Sequence, residues 1–156
     1  MRVFVDTNVV VDFLGKREPF FNDAAMLVEM GKLGKIDMIV SSLTIVNCAY
    51  ILRKQFSNEI MLGKIENFCQ ILKISPIDKS VILKAISLRL PDFEDTVQYL
   101  SALFYKPDVI VTRDKKGFIN TDMIVMRPSN GIFRQGRAWH RGGRCWHSRR
   151  RRWPRS

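Results

Sequence analysis

Met1-Arg2-Val3-Phe4-Val5-Asp6-Thr7-Asn8 is the stretch whose reading decides the fold. A β-preferring apolar run stops abruptly at an aspartate and two small polar residues. Such a run reads as a buried strand, and open α/β sheets place their ligand sites at the carboxyl ends of strands. A carboxylate at that edge has lost part of its hydration and needs a compensating partner, for which a bound cation is suited. Asp6 and Thr7 could equally cap the helix that follows. On these residues alone the two readings are level.

Working outward, strands and helices alternate. The spacing predicts a strand at Val3–Val5, a short helix over Asn8–Leu14 and a loop at Lys16-Arg17-Glu18-Pro19. Phe20–Leu33 carries a helical apolar stripe that includes Phe20 and Phe21 and ends near Gly31 and Gly34. Ile36–Val40 reads as a strand. Ser41 or Ser42 then caps a helix to about Gln55, with Leu43, Val46, Tyr50 and Ile51 on its apolar face. Ser57 or Asn58 caps the next helix, to about Leu72. A short strand lies within Lys73–Ile77, and Asp78 caps a helix to about Arg89. Pro91-Asp92 opens a helix to about Tyr105. Asp108–Thr112 and Ile124–Met126 read as the last strands, with Pro128 as a stop. This alternation implies a parallel sheet with helices on both faces.

Such a sheet gathers at one edge the groups that follow its strands. Asp6 follows the first strand and Asp114 follows Asp108–Thr112. Asp92, Glu94 and Asp95 crowd the first turn of the helix from Pro91. The segment Ser41–Asn47 joins them with polar groups and no acid. Carboxylates collected in one cleft repel, and a divalent cation relieves that repulsion. Oxygen ligands without histidine suit Mg2+ or Mn2+, which activate water and stabilise a phosphoryl displacement. Taken alone, the three acids at Asp92–Asp95 read as dipole compensation at a helix start. Asp6 and Asp114, each ending a strand, reverse that reading.

The net charge of +11 misleads. Residues 1–133 hold 17 Lys and Arg against all 15 acids, whereas residues 134–156 hold nine Arg, no Lys and no acid. That second stretch also carries Trp139, Trp146, Trp153, His140 and His147. It reads as non-native sequence ahead of a nucleic-acid-binding tail, and a membrane-surface role fails for want of an apolar face. It is expected to be disordered, and Cys145 and its two histidines do not match a zinc spacing. Cys48 and Cys69 lie in apolar helical patterns as buried thiols, which fits a reducing cytosol. The chain starts as a strand rather than a signal peptide, and no apolar run approaches a membrane span, so a cytoplasmic protein without a membrane partner is expected.

Four stretches, VFVDTNVVVDFLGKREPFFNDA, SSLTIVNCAYILRK, DFEDTVQYLSA and VIVTRDKKGF, resemble in order and spacing the successive motifs of the PIN domain, from residue 2 to about 128. The resemblance implies a three-layer α/β/α sandwich with a central parallel sheet over residues 1–133. It also implies a Mg2+- or Mn2+-dependent endoribonuclease, and many bacterial members are toxins of VapBC-type pairs. Carried over by motif, Asp6, Asp95 and Asp114 would be catalytic metal ligands, with Asp92 or Glu94 as helpers. Thr7 and Asn8 would hold the loop and bond Asp6 or a phosphate, and Thr112 and Arg113 would contact substrate phosphate. For Arg113 a solvated surface charge is an equal reading. RNA, an antitoxin and a second copy of the chain, as a homodimer, are the implied partners. In toxin-like members the early helices also form the antitoxin groove; Phe20 and Phe21 themselves read as core.

Asn47 departs from the pattern, which has a glutamate there. It would tune the metal without contributing charge, and it supports an alternative reading: a catalytically weakened PIN fold acting as an RNA- or protein-binding module. A flap-type DNA nuclease fits less well, since such enzymes carry more acids. Asp12 reads as a surface residue ahead of a substitute carboxylate, and Gly117 stands where many relatives have a further acid. Lys115-Lys116 reads as a solvated loop ahead of an RNA-steering pair.

Overall fold

The computed structural model describes residues 1–118 and 123–129. The stretch 134–156 and its expected disorder lie outside the described residues. The strands are β1 (Arg2–Val5), β2 (Asp37–Ser41), β3 (Lys73–Ser75), β4 (Val109–Val111) and β5 (Ile124–Met126). They form one sheet in the order β3-β2-β1-β4-β5, every pair parallel. The helices are α1 (Thr7–Leu14), α2 (Phe21–Lys32), α3 (Ser42–Leu52), α4 (Asn58–Cys69), α5 (Lys79–Leu88) and α6 (Phe93–Ala102). Short 3-10 turns follow at Leu103–Tyr105 and Lys115–Phe118.

Alternation along the strands builds the three layers. Val3, Val5, Met38, Val40, Val109 and Val111 face one side and pack with residues of α1 to α4. Phe4, Ile39 and Ile110 face the other, against Ala102, Phe118 and the half-buried Tyr99 and Tyr105. Successive strand side chains point to opposite faces, so a sheet buried on both sides reads as a continuous apolar run. The expected α/β/α sandwich is the observed one.

Side-chain caps set the helix starts. Ser41 accepts from the Thr44 amide, Ser57 from Ile60, Asp78 from Val81 and Asp92 from Asp95. Gly34, with φ of +66°, turns the chain after α2 at an angle that few other residues adopt.

Two expected faces need correction. On α3 the buried residues are Thr44, Cys48 and Leu52, while Val46 and Tyr50 are 64% and 57% exposed. Thr44 belongs to a buried hydroxyl–amide cluster, which turns the more apolar stripe outward. On α2 the buried residues are Ala24, Leu27, Val28 and Met30, but Phe20 lies before the helix and is exposed. Cys48 is buried and Cys69 half-buried, both as free thiols. Among the described residues no helix is long and apolar enough to cross a membrane.

Candidate metal centre

Asp6 directly follows β1, the middle strand, and is the residue from which α1 starts. Its side chain makes no capping bond to that helix and is buried. One carboxylate oxygen, Oδ2, accepts from the Thr112 hydroxyl at 2.6 Å and from the Asn8 amide. The Thr112 hydroxyl accepts in turn from the Asp114 amide at 3.0 Å. Asn8 Oδ1 accepts from the Arg113 amide at 3.1 Å. The loops after β1 and β4 are thereby stitched across the parallel pair. Asn8 serves Asp6, and Thr112, which is fully buried, serves both loops rather than a phosphate. Thr7 is also turned inward: its hydroxyl lies 3.2 Å from Thr44 Oγ1 and 3.4 Å from Gln98 Oε1.

α6 brings the second group of acids. Burial pushes the Asp95 carboxyl up to about 7, with Asp6, Asp92, Glu94 and Asp114 adding to the rise. Burial likewise raises Asp6 to about 6; the Thr112 hydroxyl opposes the rise, and Glu94 and Asp114 contribute to it. These mutual effects place Asp6, Asp95, Glu94 and Asp114 within electrostatic reach of one another. Asp95 rests against the 3-10 turn after β4. A Cβ at Gly117 would meet Asp95 Oδ2 at 1.5 Å, so the missing side chain there makes room for the carboxylate. Asn47, on α3, donates from Nδ2 to Glu94 Oε1 at 2.6 Å.

Two of the expected ligands also make local backbone contacts. Asp92 Oδ1 accepts the Asp95 amide as the cap of α6, so one of its two oxygens is engaged in the helix start. Asp114 Oδ1 accepts from the Lys116 amide at 2.9 Å. Among the described residues no three or more His, Cys, Asp or Glu side chains sit at a metal-holding separation. The expected set Asp6, Asp92, Asp95 and Asp114 is therefore spread along the edge rather than gathered at a point, as like charges dictate. The donor set still fits a hard divalent ion, since it offers carboxylate oxygens without histidine or thiolate.

Arg113 points away from the cleft. Its Nε lies 2.8 Å from Asp12 Oδ2, and its guanidinium stacks over Phe20 at 4.1 Å. Asp12 is wholly buried, neither surface residue nor substitute ligand. Burial raises its pKa, and Arg113 and then Arg17 oppose that rise. Lys115 and Lys116 are exposed. Gln98, 1% exposed, gave no sign in the sequence, although its position four residues after Glu94 on α6 puts the two on one face.

The family model described as PIN domain matches residues 2–116. The chain belongs to the PIN-domain family. This PIN domain is 32% identical over 130 residues to Ribonuclease VapC1 of Aquifex aeolicus (strain VF5), covering 80% of this chain and 89% of that one. In fold it is similar to the structure of VapBC2 from Rickettsia felis bound to a promoter DNA fragment, with TM-score 0.60 and 18% identity over 81% of this chain and 98% of that one. It is also similar to Mycobacterium tuberculosis VapC20, a sarcin–ricin loop cleaving toxin, with TM-score 0.60 and 9% identity over 74% of this chain and 92% of that one.

Proposed function

We propose that this PIN domain is a Mg2+- or Mn2+-dependent endoribonuclease and the toxin of a toxin–antitoxin pair. What supports the reading is the position of Asp6 after β1, of Asp114 after β4 and of Asp95 in the first turn of α6 against the Lys115–Phe118 turn, in a chain 32% identical to a ribonuclease. Asp6, Asp95 and Asp114 would hold the cation. Bound there, it would supply an activated water and neutralise charge on the phosphoryl oxygens. Asn8 and Thr112 orient Asp6 and hold the β1 and β4 loops in register. Exposed Lys115 and Lys116 draw a polyanion to the edge where the acids sit.

The partners follow from two surfaces. A cavity of about 240 Å³ between α1, α2 and α4 has Phe13, Phe21, Phe68 and Ile71 in its lining and Lys16, Lys32 and Lys64 around it. It suits an apolar anchor flanked by acidic groups, as an antitoxin segment would present. Exposed Val46 and Tyr50 on α3, with Leu83 and Ile86 on α5, suit a homodimer contact. RNA as substrate and the free thiols of Cys48 and Cys69 fit a cytoplasmic setting.

Mn2+ calorimetry on the full chain, paired with cleavage of single-stranded RNA, tests the reading. Wild type should bind Mn2+ and cleave, EDTA should stop cleavage, and Asp6→Asn should lose both with its fold intact by circular dichroism. A wild-type protein that binds no Mn2+ and leaves RNA whole refutes it.

A further inference from the structure

The acid missing from α3 has a counterpart on the facing helix. We infer that Glu94 takes the place of the glutamate that PIN domains carry at position 47, as a fourth carboxylate toward the cation, with Asn47 and Gln98 as the amides that aim it. This rests on the reading of the edge as a divalent-cation centre and adds to it a residue and its supports.

The supports are ordered from the inside out. Gln98 is buried, and its Oε1 takes the Thr44 hydroxyl at 3.1 Å and the Thr7 hydroxyl at 3.4 Å. With the oxygen so engaged, the amide nitrogen points the other way, 3.4 Å from Glu94 Oε1. Asn47 Nδ2 reaches the same oxygen at 2.6 Å. Two donors thus converge on Oε1, and Oε2 takes no hydrogen bond among the described residues. Thr7 adjoins Asp6, so the chain of bonds starts beside the central acid and ends on Glu94. Glu94 in turn acts electrostatically on both Asp6 and Asp95.

Charge and length agree with an exchange of places. A glutamate at 47 would set a second carboxylate against Glu94, and the repulsion would drive one to take up a proton. An asparagine there is shorter by one methylene and offers N–H instead of negative charge. It lets a glutamate from α6 span the gap without a second carboxylate facing it. Asp6, Glu94, Asp95 and Asp114 together keep four acids at the edge. If Glu94 served only the helix dipole and its contact with Gln98, its carboxylate would be dispensable for cation affinity.

The test is Mn2+ calorimetry on the full chain for wild type, Asp6→Asn, Glu94→Gln, Asn47→Glu and the double variant Asn47→Glu with Glu94→Gln. Thermal melting without Mn2+ accompanies each. Glu94→Gln should weaken Mn2+ binding by on the order of tenfold or more while melting like wild type. Asn47→Glu alone should melt lower, and the double variant should regain most of the lost affinity. If Glu94→Gln binds as tightly as wild type while Asp6→Asn binds nothing, the cation centre stands and the role of Glu94 is overturned. If the double variant binds no better than Glu94→Gln, the exchange of places is overturned. A wild type that binds no Mn2+ overturns both.

Discussion

Asp12 sits in Val9-Val10-Val11-Asp12-Phe13-Leu14 with no exposed surface, and Arg113 is the cation beside it. Removing one partner of a buried pair strands the other charge, at a cost of about 3–5 kcal/mol. Arg113 keeps 31% of its side chain in water, so the lower end applies. Arg113→Ala should lower stability by about 3 kcal/mol in urea denaturation, and adding Asp12→Leu should recover most of that. If Arg113→Ala leaves the urea midpoint unchanged, the pair does not matter to the fold. Arg113→Lys should be destabilising too, since an ammonium gives up the planar stack over Phe20. The sequence held a trace of this arrangement: an acid among three valines, a phenylalanine and a leucine has little solvent available. Its partner was hidden because it lies about a hundred residues along the chain and becomes a neighbour only through the pairing of β1 with β4.

At the scale of elements, the 3-10 turn Lys115–Phe118 shapes the site as much as any strand. Gly117 makes the space into which Asp95 fits, and a Cβ there would lie 2.5 Å from Asp95 Cγ. Gly117→Ala should therefore swing Asp95 aside. Mn2+ affinity should fall on the order of tenfold while the melting temperature moves little. An alanine variant that binds Mn2+ like wild type would remove Gly117 from the site. The strands and most helix starts were legible because their signals are local: apolar runs, Ser and Asp caps, glycine exits. The face of α3 was not. Apolar periodicity favoured Val46 and Tyr50, but Thr44, through its bonds to Thr7 and Gln98, takes the inner side. A buried polar cluster spread over α1, α3 and α6 leaves no periodic mark. The placement of Asp6 and Asp114 after strands and of Asp95 in the first turn of a helix was legible from the same local signals. That Asp92 is a cap was visible only as one of two options.

For the whole molecule, the crowded acids set a pH dependence. Asp6 has a folded pKa of about 6 against 3.8 as its ordinary value. A raised carboxylate stabilises the fold when protonated, so its contribution is full below 3.8 and lost as pH climbs to about 6. A shift of that size corresponds to about 3 kcal/mol. Without divalent cation, stability should fall between those values and on to about 7, since the Asp95 carboxyl is raised likewise. Asp6→Asn should make the fall shallower, leaving the part that Asp95 sets, and melt higher than wild type at pH 8. A wild-type curve that rises over the same interval would mean that Asp6 is not desolvated as described. Mn2+ should reverse the order of the two proteins at pH 8, because only wild type gains from binding.

The bond from Thr112 to Asp6 joins residues 106 apart in sequence. It exists only when β4 has docked beside β1, and β4 is made late. A ribosome that has delivered β1 to α6 carries Asp6, Glu94 and Asp95 but neither Thr112 nor Asp114. A nascent chain therefore lacks the completed acidic edge through most of its translation, and a message truncated before the codon for Thr112 encodes a chain in which Asp6 has no such partner.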